Sequence, residues 1–435
     1  MKHIVIIGNG ISGTTAARHI RKHSNHRITI LSSETDYFFS RTALMYIYMG
    51  HMKYEHTKPY EDGFWRKNKI DLLRDHVESV HAQTKSLILQ SGKTITYDIL
   101  IIASGSTSNK FGWPGQGAQG VQGLYSYQDL EEMEKHTKGI TQAVIVGGGL
   151  IGIEMAEMLL SRKIPVTMLV REKEFWSNVL PLQEANLISR HIRSHHVDLK
   201  LETELKEVQA DERGRVKAVV TGSGEVIPCQ FVGLTVGVSP NIHFLKGSGI
   251  ETNRGVLVNE FLETNVPDVY ALGDCVERTY ELPGRRKIEQ VWYTGRMMGE
   301  VLAQTICGDK TNYEPGPWFN SAKFFDIEYQ TYGNVPNELS KSESDFYWEH
   351  QSGTKCMHLV WDRISSRFLG INSFGIRLRH ECFDRWLRDR RSIQYILSHL
   401  AEANFDPEFF PSHESEIAES FGLKFPHLEL SPRLV

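Results

Sequence analysis

Three glycines near the start of the chain have the spacing of a phosphate-binding turn. Gly8, Gly10 and Gly13 stand in the stretch GNGISG, with Ile11 and Ser12 between the last two. In such a turn the first glycine permits a tight bend, the second lets the backbone approach a diphosphate, and the third lets the helix pack on the strand. The N-terminus of that helix offers free N–H groups and a positive dipole end to the anion. The stretch therefore predicts a dinucleotide site.

The segments around this turn have the order that a nucleotide-binding unit requires. The β-branched run His3–Ile7 predicts a buried parallel strand before the turn, and TTAARHIRK predicts a helix after it. Residues 27–31 predict a second strand, which leads to Glu34. Glu34 lies about 20 residues after the turn, where a carboxylate accepts hydrogen bonds from a ribose diol.

The same arrangement occurs again in the middle of the chain. The apolar run Ala143–Val146 leads into GGGLIGIEMAEMLL, and residues 166–170 predict the next strand. The residues at the turn are Gly147, Gly149, Ile151 and Gly152. Two such units predict two bound dinucleotides. A flavin and a nicotinamide are the usual pair, because the flavin passes a hydride on or splits it into single electrons.

Three further motifs resemble those of the FAD-dependent pyridine nucleotide–disulfide oxidoreductase superfamily. They are YDILIIASGS (97–106), VGVSPN (236–241) and TNVPDVYALGDC (264–275). Within that superfamily the chain is similar to ferredoxin and rubredoxin reductases, to the apoptosis-inducing-factor type and to the flavin domain of nitrite reductases. The resemblance covers roughly residues 1 to 335, on motif spacing.

The resemblance implies an α/β fold with two Rossmann-like domains of the glutathione-reductase type and a C-terminal α+β interface domain. The FAD domain is expected to be split into 1–112 and 235–315, with an NAD(P) domain inserted at 113–234. Residues 113–120, WPGQGAQG, have the composition of a hinge or linker. Residues 316–435 are expected to cover the flavin and to form a homodimer interface. There 318–333, 356–361 and Phe368–Phe374 each predict one strand.

The resemblance also assigns the cofactor-binding residues. Those expected at FAD are Gly8, Gly10, Ile11, Ser12, Gly13, Glu34, Arg41, Val77, Ser104, Gly105, Gly273, Asp274 and Gln290. Those expected at NAD(P) are Gly147, Gly149, Ile151, Gly152, Glu154, Arg171 and Gly237. In relatives the aspartate matching Asp274 bonds the ribityl chain, and the arginine matching Arg41 opposes the diphosphate.

Glu154 is the candidate catalytic residue, because the matching glutamate of relatives lies near the nicotinamide and the flavin. It is often paired there with a lysine. That lysine is absent here, since Tyr46 stands at its place. Tyr46, Tyr48 or Lys53 are the candidates to replace it.

The choice between NADH and NADPH depends on the end of the strand at 166–170. Relatives that prefer NAD have an acid at the place of Val170, which bonds the 2′-hydroxyl and repels a 2′-phosphate. Here Arg171 follows instead, and a guanidinium suits a phosphate. Glu172 comes next and can neutralise Arg171 or bond a ribose. The sequence favours NADPH slightly and leaves NADH open.

The positions of the cysteines separate possible mechanisms. The segment 37–51, YFFSRTALMYIYMGH, has no cysteine, and the five cysteines of the chain form no CxxC or CxxxxC pair. They are Cys229, Cys275, Cys307, Cys356 and Cys382. A disulfide relay cannot run without its sulfurs. The reduced flavin is therefore expected to pass electrons directly to an external acceptor, and Cys275 is expected to be structural.

Composition excludes several other classes of protein. The 435 residues carry a net charge of −4, from 49 basic and 53 acidic residues, which gives no reason to expect a nucleic-acid partner. No apolar run approaches the roughly 20 residues of a membrane span, and no signal peptide is evident. No Cys/His cluster has metal-ligand spacing, so no metal is predicted. Scattered cysteines suit a reduced cytoplasm.

The acceptor is expected to be an iron–sulfur protein, such as a ferredoxin, a rubredoxin or a Rieske-type protein. A second interpretation is a quinone reductase on a membrane, held by a basic amphipathic helix within 382–409. A third is a nucleotide-sensing protein of the apoptosis-inducing-factor type. The arginines of 382–409 suit an acidic carrier equally. The tail 413–435 contains no motif that assigns it a role.

Overall fold

Three five-stranded sheets organise residues 1–428, the part of the chain that the computed structural model describes. The strands are β1 (His3–Ile7), β2 (Arg27–Ser32), β3 (Ile70–Arg74), β4 (Val77–His81), β5 (Ser86–Leu89), β6 (Thr94–Thr96), β7 (Ile99–Ile102), β8 (Ser106–Ser108), β9 (Val121–Gln122), β10 (Ala143–Val146), β11 (Val166–Leu169), β12 (Asp198–Lys200), β13 (Leu205–Ala210), β14 (Val216–Thr221), β15 (Val226–Pro228), β16 (Phe231–Leu234), β17 (Val238–Pro240), β18 (Val256–Val258), β19 (Val269–Ala271), β20 (Val276–Arg278), β21 (Phe319–Phe324), β22 (Ile327–Gly333), β23 (Glu343–Glu349), β24 (Cys356–Asp362) and β25 (Phe368–Phe374). The helices are α1 (Ile11–His23), α2 (Leu44–Tyr48), α3 (Gly63–Lys67), α4 (Tyr127–His136), α5 (Leu150–Ser161), α6 (Leu182–Ser194), α7 (Trp292–Ile306), α8 (His380–Arg388), α9 (Ile393–Ser398) and α10 (Glu414–Lys424).

The first sheet contains the first predicted unit. Its strand order is β19-β7-β1-β2-β3, and every neighbouring pair is parallel. β1, β7 and most of β2 are apolar and buried, as strands covered on both faces must be. The chain leaves this sheet after β7 and returns for β19. The first glycine turn lies at the carboxyl end of β1, with α1 directly after it.

The second sheet contains the second predicted unit. Its order is β12-β11-β10-β16-β9, again parallel throughout. The segment 113–120, predicted as a hinge or linker, is packed against β13: Val208 N donates to Pro114 O at 2.8 Å. Gly115 has φ +76°, and a Cβ there would overlap the Val208 carbonyl. In segment 113–120 proline and glycine therefore form a close-packed turn and not a flexible linker.

The third sheet is antiparallel, in the order β21-β22-β25-β24-β23. The prediction of one strand over 318–333 was wrong, because the segment forms the hairpin β21–β22. Its turn contains Phe325, with φ 55°, and Asp326. Asp326 is a typical turn residue, but the positive φ falls on Phe325 and not on a glycine, so the sequence signals this turn only weakly. The strands predicted at 356–361 and at Phe368–Phe374 are present.

The basic stretch 382–409 forms no single helix. α8 ends before Arg390, which has φ 54°, and Ser392 then caps α9 by accepting from Tyr395 N at 3.2 Å. Trp386 and Ile396 are buried in the core of the third sheet. The apolar side that the membrane interpretation requires is thus covered by the protein itself. Within residues 1–428, no helix is long and apolar enough to cross a bilayer.

The described part of the tail packs on the same core. α10 buries Ile417 and Phe421, and the Phe421 ring meets Phe346 edge to face at 5.2 Å. Residues 413–428 therefore belong to the third sheet's layer. The remainder of the predicted tail, 429–435, lies outside the described residues.

Candidate functional site

The first glycine turn has the shape that a diphosphate requires. Gly8 has φ +114°, and a Cβ there would overlap the Ala103 carbonyl at the end of β7. A Cβ on Gly13 would overlap the Gly8 carbonyl, so α1 begins directly against the turn. Gly10 is different, because a Cβ there would meet no atom within 4 Å. The N-terminus of α1 has no side-chain cap and thus faces open space with free N–H groups.

The second glycine turn repeats this geometry. Gly147 has φ +119°, and its Cβ would lie 2.5 Å from the Thr235 carbonyl after β16. A Cβ on Gly152 would lie 2.7 Å from Gly147 O, whereas Gly149 again faces open space. α5 also has no side-chain cap. Both turns therefore fit a diphosphate held by a helix N-terminus.

The Gly-Asp turn after β19 lies against the first glycine turn. A Cβ on Gly273 would overlap Ser12 Oγ, so these two predicted residues are in direct contact. Asp274 Oδ2 accepts from Tyr125 OH at 3.2 Å and from Ser106 Oγ at 3.4 Å. Gln290 Nε2 donates to the same Ser106 Oγ at 2.7 Å. Burial raises the pKa of Asp274.

Tyr125 is a site residue that the sequence analysis missed. Its hydroxyl also accepts from Ser106 N at 2.9 Å, and the Arg41 guanidinium lies over its ring at 4.4 Å. Tyr125 belongs to no motif, and the turn before α4 brings it to Asp274. The sequence around Tyr125 therefore did not predict that this residue lies beside the end of a strand in a Rossmann-type sheet.

Arg41 has a carboxylate partner within the protein. A buried arginine needs a counter-ion, and a cofactor phosphate was expected to supply it. In the structure Arg41 Nη1 and Nη2 donate to Glu34 Oε1 and Oε2 at 2.8 and 2.6 Å. Tyr127 N also donates to Glu34 Oε1, at 2.8 Å. The two residues assigned to the diphosphate and the ribose thus form one bidentate ion pair at the end of β2.

Glu154 lies on the first turns of α5, in a setting that favours its neutral form. Burial raises its pKa to about 7, the negative charge of Glu157 adds to that rise, and Lys323 opposes it. Lys323 comes from β21 and donates to Glu157 Oε1 at 2.6 Å. It also lies over the Tyr46 ring at 5.7 Å.

The expectation that Tyr46, Tyr48 or Lys53 replaces the missing lysine is therefore corrected. The cation that acts on Glu154 is Lys323. Tyr48 is instead bonded to Thr137, with 2.6 Å between the two hydroxyl oxygens. The motif around Glu154 could not predict this contact, because Lys323 belongs to the third sheet and lies far along the chain from Glu154.

The residues at the end of β11 leave the nicotinamide preference open in the structure as well. Val170 is fully buried, and a Cβ on Gly148 would touch its side chain at 2.8 Å. Arg171 is largely exposed and forms an ion pair with Glu172 at 3.1 Å. The guanidinium is therefore available at the strand end, next to a carboxylate.

The other assigned residues lie at the junction of the two units. Ser104 Oγ donates to Asn241 O at 2.7 Å, and Gly105 and Gly237 have φ +71° and +86°. Gly237 O accepts from Asn109 N at 3.0 Å. Val77 starts β4 and is buried in the core of the first sheet. The ASGS and VGVSPN motifs are thus adjacent in the structure.

The segment 37–51 packs between the first glycine unit and α5. It forms a 3₁₀ turn at Arg41–Ala43 and then α2. Leu44, Met45 and Tyr48 are buried in the core that includes α5. All five cysteines are free, and four are buried. Cys275 is fully buried, and burial raises its pKa, which agrees with the structural role predicted for it.

Known proteins share both the sequence pattern and the fold. The family model described as pyridine nucleotide-disulphide oxidoreductase matches residues 2–299. The 5,5'-dehydrodivanillate O-demethylase ferredoxin reductase subunit of Sphingobium sp. is 29% identical over 334 residues, 76% of this chain and 81% of that protein. NADH-rubredoxin oxidoreductase of Clostridium acetobutylicum is 29% identical over 311 residues, 71% of this chain and 76% of that protein.

Solved structures extend the similarity to the third sheet. The NAD-dependent persulfide reductase from A. fulgidus superposes with a TM-score of 0.86 at 21% identity, covering 98% of this chain and 84% of that chain. The predicted α/β class, with parallel Rossmann-like sheets and a sheet-rich C-terminal region, is thereby confirmed.

Proposed function

The chain belongs to the pyridine nucleotide-disulphide oxidoreductase family, and on that premise we propose that it is an FAD-dependent NAD(P)H oxidoreductase. Its electrons leave to an external iron–sulfur protein of the ferredoxin, rubredoxin or Rieske type. The observation that carries this proposal is the pair of open, uncapped glycine turns at Gly10 and Gly149 in a chain without a cysteine pair. Two dinucleotide sites without a dithiol leave direct transfer as the route for electrons.

The first unit provides the groups for FAD. The N-terminus of α1 would hold the diphosphate, because its N–H groups are free and the Gly10 side is open. Asp274 would accept hydrogen bonds from the ribityl hydroxyls. Glu34 would accept from the adenosine ribose, and Arg41, which is paired with it, would direct its positive charge toward the diphosphate. Bound FAD supplies hydride acceptance and the release of single electrons.

The second unit provides the groups for NAD(P)H. Gly149 and the N-terminus of α5 would hold its diphosphate, and Arg171 lies at the strand end where a 2′-phosphate is recognised. Glu154, with Lys323 near it, would line the nicotinamide side. Because hydride transfer itself needs no proton, these residues act by positioning and by excluding water.

Three features support the proposed division and location of the chain. The first sheet draws its strands from 1–112 and 235–315, the second from 113–234 and the third from 316–428, which supports those domain boundaries. Five free, mostly buried cysteines support a reducing cytoplasm. Two relatives named for ferredoxin and rubredoxin support the class of acceptor.

Anaerobic stopped-flow spectroscopy of the purified protein tests the proposal. Reduction of the yellow protein by NADPH or NADH is expected to bleach the flavin absorbance. Addition of a ferredoxin or a rubredoxin is then expected to restore it rapidly. Ubiquinone in liposomes and buffer without an acceptor are the comparisons.

The outcomes distinguish the three interpretations. Rapid reoxidation by the iron–sulfur protein alone supports the proposal. Reoxidation only by quinone in liposomes contradicts the proposed acceptor and supports a membrane reductase. A long-lived charge-transfer band with a change in oligomeric state supports a nucleotide sensor. A protein that binds no flavin contradicts all three.

A further inference from the structure

Two histidines on α6 and an aspartate on the β21–β22 turn bring three metal-ligating atoms together. His191 Nε2 lies 2.7 Å from Asp326 Oδ1, and His195 Nε2 lies 3.4 Å from the same oxygen. One ligand atom from each of the three residues lies within 4.8 Å of the others. The histidines are four residues apart, so they project from one face of the helix. The cluster therefore joins the layer of the second sheet to a turn of the third.

The contacts of the two imidazoles leave their Nε2 atoms directed at Asp326. His195 Nδ1 lies 3.1 Å from the His191 backbone oxygen, which can only accept, so that nitrogen carries the proton. In the neutral ring Nε2 is then an acceptor that faces a carboxylate oxygen. A backbone carbonyl bound to the second ring nitrogen, as at His195, is the usual support of a histidine that ligates a metal.

The rest of the turn holds this geometry in place. Phe325 adopts φ 55°, a left-handed conformation that bulky side chains rarely adopt. Its ring lies flat on His195, with centroids 4.2 Å apart and an interplanar angle of 4°. Strained residues of this kind persist where the surroundings impose them, and they are frequent at ligand sites. This turn places Asp326 beside α6.

These two imidazole nitrogens and one carboxylate oxygen lie close enough together to share one cation. We propose that His191, His195 and Asp326 bind a divalent transition-metal ion of the zinc type, which joins α6 to the β21–β22 hairpin. Two imidazoles and one carboxylate are a common ligand set for zinc, with solvent in the fourth position. Zinc lies about 2.0–2.2 Å from such ligands, so tetrahedral ligand atoms are about 3.4 Å apart. The observed separations reach that arrangement through small side-chain rotations.

The exposure of the three side chains gives an ion a route to the cluster. His191 is only 6% exposed, whereas Asp326 is 75% exposed, which leaves an entry path for an ion. The sequence analysis missed this cluster because a histidine pair alone is incomplete and the third ligand follows in a weakly signalled turn.

Metal binding to the whole protein tests this inference without reference to the flavin or to turnover. The protein is treated with EDTA, desalted and titrated calorimetrically with Zn²⁺. Co²⁺ is added in parallel, because its visible absorption reports tetrahedral coordination. One equivalent of Zn²⁺ is expected to bind and to raise the thermal unfolding midpoint, since a ligand that binds only the folded state stabilises it.

His195→Asn and Asp326→Asn are the test variants, and His196→Asn is the matched control. His196 neighbours the cluster but is exposed, and it has φ 63°, which asparagine accepts readily. The test variants are expected to weaken Zn²⁺ binding by at least the roughly 10- to 100-fold that loss of a supporting contact costs. The control is expected to bind as the wild type does.

A second histidine cluster provides a background control. His350, His413 and Glu416 also lie close together, but His413 Nε2 is 3.0 Å from Lys355 Nζ, and the positive charge of this lysine opposes binding of a further cation there. His413→Gln is therefore expected to leave Zn²⁺ binding unchanged. Equal binding by the wild type and both test variants would overturn the inference. Binding seen only with excess metal, without a Co²⁺ spectrum, would overturn it as well.

Discussion

Glu154 illustrates how burial changes the chemistry of a single side chain. As a helix glutamate it would be ionised at neutral pH, yet burial raises its pKa to about 7 and Glu157 reinforces the shift. Lys323 opposes the shift from β21, and it is itself paired with Glu157 at 2.6 Å. The protonation of Glu154 thus depends on two neighbours of opposite charge, one from its own helix and one from the third sheet.

The affinity for NAD(P)H is expected to depend on the ionisation of Glu154. As the pH rises through about 7 the carboxyl ionises, repels the anionic dinucleotide and weakens binding. Glu154→Gln is expected to remove this inflection from fluorescence titrations made between pH 5.5 and 8.5. Identical pH profiles for the wild type and Glu154→Gln would contradict the assignment.

Two variants are expected to move the inflection in opposite directions. Lys323→Met removes the charge that lowers the pKa of Glu154, so the inflection should move to higher pH. Glu157→Gln removes the charge that raises the pKa, so the inflection should move to lower pH. The same titrations measure both shifts, and a common direction would show that the variants act through the fold instead.

At the scale of elements, two strand–turn–helix units present their helices in the same way. In each unit one glycine closes against a carbonyl of the neighbouring strand end and another faces open space. α1 and α5 both start without a side-chain cap, although serine, threonine, aspartate and asparagine are the residues that usually satisfy such N–H groups. Because neither helix has a side-chain cap, the N–H groups of its first turn are available to an anionic ligand.

Substitution of two glycines in the first turn is expected to separate folding from binding. Gly10→Ala adds a methyl group where no atom lies within 4 Å, and φ −68° suits alanine. The apoprotein should therefore keep its melting temperature, whereas FAD should bind about 10- to 100-fold more weakly, the effect of lost charge-assisted hydrogen bonds.

Gly8→Ala is the matched comparison in the same turn. Its Cβ would overlap the Ala103 carbonyl, and φ +114° is a conformation that alanine disfavours. The melting temperature of the apoprotein should fall, with an expected loss of roughly 1–3 kcal/mol or more in the free energy of unfolding. If Gly10→Ala unfolds as readily as Gly8→Ala, the open side of the turn has been misassigned.

At the scale of the whole molecule, α6 is attached to the third sheet by buried charges. Glu184 is fully buried, and its Oε1 lies 3.1 Å from His358 Nδ1 on β24. His358 Nε2 lies 2.9 Å from Asp345 Oδ2, and Asn372 Nδ2 donates to Glu184 Oε2 at 2.8 Å. Burial opposes protonation of His358, but Asp345 and Glu184 outweigh it and raise its pKa to about 9.

Stability is expected to fall on the alkaline side because of this cluster. The pKa of His358 is raised in the folded protein to about 9, against about 6.5 in an unfolded chain. The stabilisation is therefore fully present below about pH 6.5 and is lost as the pH rises through about 9. Thermal unfolding followed between pH 6 and 9.5 should show this decline in the wild type.

Removal of one partner is expected to be costly. His358→Gln leaves Glu184 buried without its counter-charge, which should cost about 3–5 kcal/mol at neutral pH and should flatten the alkaline decline. The double variant Glu184→Gln/His358→Gln has no uncompensated charge and should recover part of that loss. A single variant as stable as the wild type would show that the pair does not hold this interface.

Much of the fold was predictable because its signals are local. The β-branched runs of β1 and β10 and the glycine spacings after them specify strand, turn and helix within about 30 residues. The hairpin at 318–333 was not predictable in the same way, since the position of positive φ in its turn is Phe325 and not glycine or asparagine. The break between α8 and α9 was missed for a similar reason. Arg390 adopts a positive φ of 54°, and an arginine in the sequence does not indicate such a backbone conformation.

The sequence by itself determined the fold class, the two dinucleotide units and the absence of a cysteine pair, because each rests on residue type and short spacing. Only the tertiary structure decided that Arg41 pairs with Glu34, that Tyr125 reaches Asp274 and that Lys323 acts on Glu154. It alone brought Asp326 to His191 and His195. Apart from the Arg41–Glu34 pair, which spans seven residues, these contacts join segments that are distant along the chain. Their geometry and their effect on pKa arise only when the three sheets pack and exclude water.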